Sequence, residues 1–181
     1  MTLHRPTPCT LALAAAALAI AGCASNGPRT PSNVPASLQV PGNRTPYIEA
    51  LATGVQIYAC DVKPDQANAW AWQFRAPEAS LTDPSGRPLG RHYAGPTWES
   101  PDGSAVVGRV QSSDPGPDAQ SIPWLLLNGT SAKGAGVFSE ARFVQRLFTK
   151  GGVAPSTACG PSNAKQMARV PYSATYYFYR G

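Results

Sequence analysis

The stretch Gly90 to Ser104, GRHYAGPTWESPDGS, gathers His92, Tyr93, Trp98, Glu99 and Asp102. His92 is one of two histidines in the 181-residue chain, and the other, His4, lies near the N-terminus. An imidazole beside a carboxylate is common equipment for proton transfer near neutral pH. If the strands flanking Gly95-Pro96 pair back on themselves, His92 and Glu99 converge over Trp98, a geometry suited to acid–base work or to capture of a polar ligand. Backbone geometry offers a plainer account. Ser100-Pro101-Asp102-Gly103 places Pro second and Gly fourth, as a type I turn prefers, so Asp102 needs no chemical role there. The stretch therefore reads mainly as a structural double turn whose aromatic residues border a shallow polar cleft. His92, Tyr93, Trp98 and Glu99 are the candidate ligand-site residues. A small enzyme using His92 with Glu99 or Asp102 as acid and base is the alternative.

Other chemistries fail on residue type. Ser85 and Ser104 could lie near His92 as nucleophiles, but neither sits in a Gly-x-Ser-x-Gly turn. Gly134-Ala135-Gly136 invites a dinucleotide-binding reading, but Ser139 occupies the third glycine slot and no acid follows to hold a ribose. Gly129 to Gly134 lacks the Gly-Lys-Ser/Thr ending of a phosphate loop. The segment is expected to be a glycine-rich hairpin loop. No cofactor is expected, and no metal, because no histidine stands at ligand spacing from a cysteine.

The elements that must position these residues begin after a leader. His4 and Arg5 precede an uncharged apolar run, Leu11 to Ile20, of ten residues. That is about half of what a bilayer-spanning helix needs. Ile20-Ala21-Gly22-Cys23 follows and resembles the lipobox of bacterial lipoproteins, in which the cysteine thiol takes a diacylglyceryl group. On this reading residues 1–22 are a signal peptide. Cys23 is then the lipidated N-terminus, and residues 23–45 form a flexible linker rich in Pro, Ser, Asn and Gly. Two or three acyl chains give a stable anchor where one would be marginal. Ala24 and Ser25, with no aspartate after the cysteine, imply sorting to the outer membrane, facing the periplasm. The lipid bilayer is thus the expected partner.

Residues 46–181 form a single globular domain of about 135 residues, enough for one core. Cys9 departs with the leader and Cys23 carries lipid, which leaves Cys60 and Cys159 as an even pair in a compartment that permits disulfides. Two separate buried thiols are the alternative. Without Arg5 the mature chain has 14 Lys and Arg against 10 Asp and Glu. After Glu140 there is no acid, while Arg142, Arg146, Lys150, Lys165, Arg169 and Arg180 follow. Such a basic end suits an anionic envelope ligand, although scattered solvated cations account for it as well. Nucleic acid is excluded as a partner because export removes the chain from it.

Alternation with a period of two marks Val55–Cys60, Trp70–Arg75 and Tyr172–Tyr179 as strands. In the last, Tyr172, Ala174, Tyr176 and Phe178 share one face. Ala105–Val110 and Ile122–Leu127 are further strands; the second is apolar on both faces and should be covered on both, with Pro123 at its start. Ser139–Lys150 permits one short helix, but the context favours a strand with Phe143 and Leu147 inward. The fold expected is all-β, an antiparallel sandwich or barrel in a single domain.

Six blocks then occur in order: GVQIYAC at Gly54, APEASLTDPSG at Ala76, GRHYAGPTWESPDGS at Gly90, IPWLLL at Ile122, TKGGVAP at Thr149 and VPYSATYYFY at Val170. Together they resemble the family catalogued as domain of unknown function 3455. The resemblance covers Gly54 to Tyr179. It implies a small exported domain, often with paired cysteines, and it implies no reaction and no catalytic residue.

Overall fold

The computed structural model describes residues 1–2, 27–66 and 68–181. Cys23 and residues 3–22, on which most of the expected signal peptide falls, lie outside the described residues. Eight strands form a closed barrel in which each pairs with its neighbours in sequence and the last returns to the first. They are β1 (Ile48–Val62), β2 (Trp70–Thr82), β3 (Pro88–Tyr93), β4 (Thr97–Glu99), β5 (Ala105–Asp114), β6 (Trp124–Lys133), β7 (Phe143–Gly151) and β8 (Met167–Tyr179). Every pairing is antiparallel, including the β1–β8 seam from Ile48↔Phe178 to Ala59↔Met167. Closure leaves no unpaired edge, the usual solution for an up-and-down meander. The only helices among the described residues are two short 3₁₀ turns, so Ser139–Lys150 contains strand and no α-helix.

Turn chemistry sets the hairpins. Gly86 N–H donates to Asp83 C=O at 2.9 Å, and Gly103 N–H to Ser100 C=O at 3.0 Å. Both glycines have φ of 85°, a conformation that glycine adopts without the steric cost of a Cβ. Gly134 to Arg142 is the connection between β6 and β7, a hairpin loop as its glycines suggested.

The interior follows from the strand pleat. Ala50, Ala52, Leu81, Trp98, Val106, Leu127, Val144, Tyr176 and Phe178 pack into one buried cluster. Small residues on β1 leave room for large ones opposite, and Gly108 does the same for Trp98. A Cβ on Gly108 would stand 2.8 Å from Trp98 Cζ3. One end of the barrel is plugged by the β6–β7 loop. Phe138, wholly buried, packs on Phe178 with ring centroids 4.8 Å apart. The disulfide Cys60–Cys159 ties the far end of β1 to the long β7–β8 connection at the opposite end.

The N-terminal stretch departs from its expected behaviour as a flexible linker. Leu38 is wholly buried against the outside of the barrel, in a second cluster with Trp124, Leu126, Leu147, Tyr177 and Tyr179. Val34, Val40 and Phe143 pack at its edge. Gln145 Nε2 donates to Leu38 C=O at 2.6 Å, which pins this strap to β7. Burying one leucine side chain is worth roughly 1.5–3 kcal/mol, enough to order a short strap whose composition otherwise reads as spacer. The strap also explains why Ile122–Leu127 is apolar on both faces: Leu127 faces the core, while Trp124 and Leu126 face the strap. On β7 it reverses the expected faces. Phe143 and Leu147 point outward under the strap, and Val144 and Arg146 belong to the inner face.

Candidate functional site

The β3–β4 hairpin carries the residues singled out in the sequence, and its register divides them. His92 pairs with Trp98 across the hairpin, while Arg91 pairs with Glu99 and Tyr93 with Thr97. Alternate residues face opposite sides of a sheet. His92 and Trp98 therefore enter the barrel, where they are 2% and 0% exposed. Glu99 stays outside. Its Oε2 accepts from Arg91 Nη2 at 2.6 Å and from Tyr93 OH at 3.0 Å. The Arg91 hydrogen bond, ahead of the Tyr93 one, holds the Glu99 carboxyl below its ordinary range.

Asp102 belongs to the plugged end. Its Oδ1 accepts from Ser104 OH at 2.6 Å and Ser104 N–H at 2.8 Å, and its Oδ2 accepts from Val137 N–H at 2.9 Å. Ser104 Oγ in turn accepts from Phe138 N–H. These bonds lower the Asp102 carboxyl to about 2 and fasten the β6–β7 loop over the core. The expected convergence of His92 with Glu99 or Asp102 does not occur. Each carboxylate is committed to a structural partner on another face or at another end. Tyr93 shares the outer face with Glu99, so the expected four-residue cleft is absent and only His92 and Trp98 remain together.

What His92 and Trp98 do line is a cavity at the other end of the barrel. It has a volume of about 260 Å³, and its walls include Pro77, His92, Trp98, Leu125, Leu127, Arg146 and Tyr176. Gly95 and Pro96 of the β3–β4 turn border it, with Phe74 and Val110, each 51% exposed, among the remaining lining residues. It is chiefly apolar, in contrast to the shallow polar cleft expected.

The His92 ring lies flat on Trp98, with centroids 4.6 Å apart and planes 10° from parallel, and meets the edge of Tyr176 at 5.0 Å. Its Nδ1 lies 2.8 Å from Thr97 C=O. A carbonyl only accepts, so Nδ1 carries the proton and Nε2 keeps its lone pair. Burial lowers the imidazole pKa to about 4; the Thr97 bond opposes this and the Arg146 charge adds to it. At neutral pH His92 is therefore an uncharged ring with one acceptor.

Two polar atoms on the lining residues, Trp98 Nε1 and Tyr176 OH, are buried without a hydrogen-bond partner among the described residues. Gln56 Nε2 and Tyr172 OH, which continue from Tyr176 in the interior, share that condition. Buried polar groups are nearly always paired, so such a group calls for a reason. Arg146 completes the set. Its Nε and Nη2 donate to Pro123 C=O at 3.1 and 2.8 Å. Sequence reasoning passed over both Arg146 and Tyr176 as site residues. The available signal was parity: Arg146 shares a strand face with Val144, and Tyr176 shares one with Phe178.

The family described as Protein of unknown function (DUF3455) matches residues 41–180. That span takes in all eight strands, and the chain belongs to this family. No curated protein and no solved structure matches the chain significantly.

Proposed function

From a family that supplies a fold and no reaction, we propose that this protein is a lipid-anchored envelope module whose barrel holds a small ligand, and that it works by binding rather than by catalysis. The observation that carries the binding reading is the open-ended cavity itself. Apolar walls, stacked aromatic rings and a few polar atoms without protein partners are the usual makeup of a ligand pocket. At about 260 Å³ it falls below the roughly 300–1,000 Å³ typical of drug-sized ligands, so the occupant is small. Against catalysis stands the distribution of acids. His92 has no carboxylate to orient it, and the neighbouring Glu99 and Asp102 are engaged elsewhere.

Binding is tested with small aromatic compounds of graded size, read through quenching of tryptophan fluorescence. Trp98 sits in the cavity wall, so a fitting compound should quench saturably in the wild type and lose at least tenfold in affinity in Leu127→Trp, which fills the space. Saturable quenching that survives Leu127→Trp unchanged would place binding somewhere other than the barrel.

Anchoring rests on Ile20-Ala21-Gly22-Cys23. The strap docks from Val34, 11 residues after Cys23, which is at most about 40 Å of chain. The barrel would then be held close to the bilayer instead of ranging freely from it. Cys23→Ser should abolish incorporation of labelled palmitate while leaving export intact. Incorporation unaffected by the substitution refutes the anchor.

A further inference from the structure

We propose that the occupant of the barrel cavity is a small monocarboxylate with an apolar or aromatic body, and that Arg146 receives its carboxylate. This rests on the reading of the cavity as a ligand site. The argument begins with the charge of the wall. Arg146 is a cation on the inner face of β7, opposite Leu125 of β6. No carboxylate among the described residues lies within ion-pair distance of it. By contrast Arg75, the other cation of the lining, is already paired with Asp61 at 2.7 Å. His92 is neutral. Arg146 is thus the cation of the lining that meets no protein carboxylate, which matches an occupant with one negative charge.

The donor geometry narrows the class. A guanidinium has five N–H groups in one plane. Pro123 C=O takes one from Nε and one from Nη2. The two on Nη1 and one on Nη2 remain, and the adjacent pair forms an end-on fork of the kind that grips a carboxylate with two parallel bonds. The Pro123 carbonyl also fixes the plane of the fork before any ligand arrives. The rest of the wall suits the remainder of such a molecule. Leu125, Leu127, Val110 and the rings of His92 and Trp98 offer apolar and stacking contacts. Trp98 Nε1 supplies a donor that finds no protein acceptor, and Tyr176 OH lies beside Arg146 and Tyr172.

The test compares acids with their neutral amides on the mature protein by calorimetry, using benzoate against benzamide, phenylacetate against phenylacetamide and hexanoate against hexanamide. Each amide has nearly the shape of its acid and lacks only the charge. At least one acid should bind tenfold or more tightly than its amide, and Arg146→Gln should bring that ratio close to one. Arg146→Lys, which keeps the charge and loses the fork, should retain part of the preference. Equal binding of acid and amide in the wild type overturns the carboxylate while leaving the cavity as a ligand site. If no compound of either kind binds, the ligand-site reading falls too and takes this proposal with it. An acid preference that persists in Arg146→Gln assigns the charge recognition to another residue and overturns the role given to Arg146.

Discussion

Removing the Cys60–Cys159 bridge with a double serine substitution should lower the unfolding free energy by about 4.7 kcal/mol, the chain-entropy value for a loop of about 100 residues. The two cysteines are 99 residues apart in sequence, and six of the eight strands lie wholly between them. The size of the effect follows from where the bridge sits. β1 and β8 form the seam that closes the barrel, and their pairing is the most distant in sequence that the fold requires. Cys60 N–H donates to Gln166 C=O at 2.9 Å beside the last registered pair, Ala59↔Met167. The covalent link therefore holds the two ends of the seam near each other in the unfolded chain, before any of the intervening hairpins has formed. A domain of ordinary stability has about 5–15 kcal/mol in total, so the loss would be a third of it or more. Refolding should slow as well, since closing long loops ahead of contact formation is what makes such topologies slow. Urea denaturation of the oxidised wild type and of the Cys60→Ser/Cys159→Ser variant measures the difference. A gap under about 1 kcal/mol would show that the unfolded chain is already restricted by something else.

The barrel was legible from the sequence because its information is local. Alternation in VQIYAC and YSATYYFY, together with two Asp/Ser-Pro-x-Gly turns, specifies antiparallel hairpins with little help from distant residues. The site was legible only in half. Parity along RHY and TWE already separates His92 and Trp98 from Arg91, Tyr93 and Glu99, because a strand sends alternate side chains to opposite faces. Grouping them by proximity in sequence overrides that rule, and the structure restores it. The harder part was β7. Reading Phe143 and Leu147 as inward is sensible when only one face of a strand is buried. The strap buries both faces, and a shift of one residue then exchanges the whole set. Nothing local announces the strap: Val34, Leu38 and Val40 are spread among Pro, Ser, Asn and Gly, and their burial depends on a surface assembled from β6, β7 and β8. Once those faces are exchanged, Arg146 enters the barrel and the cavity acquires its charge.

His92 should make the folded state sensitive to acid over a window of its own. Burial lowers its pKa from 6.5 to about 4, with the Thr97 hydrogen bond opposing and Arg146 reinforcing the shift. In the unfolded chain the ring takes its proton near 6.5. Between those values the unfolded state binds more protons, so stability is greatest above pH 6.5, falls as the pH drops towards 4 and then levels off for this group. The whole fall is roughly 3 kcal/mol at 1.36 kcal/mol per unit, of which about 2 should be lost between pH 7 and pH 5. The carboxylates held low by their partners, Asp83, Asp102, Asp61, Asp118 and Glu99, have the same sign but act from the ordinary carboxylate range downward, at more acid pH. The two contributions therefore separate. Protonation adds an N–H at Nε2 and places a second charge beside Arg146 and between Trp98 and Tyr176, while the Thr97 carbonyl is already taken by Nδ1–H. His92→Gln keeps an amide able to donate to that carbonyl and removes the titration. Urea midpoints measured at pH 7, 6 and 5 should fall steadily in the wild type and stay nearly level in His92→Gln. If the variant retains the wild-type slope, the acid sensitivity belongs to another group. If the wild type itself is flat, the folded ring takes its proton as readily as the unfolded one, and the desolvated place in the cavity wall assigned to it is lost.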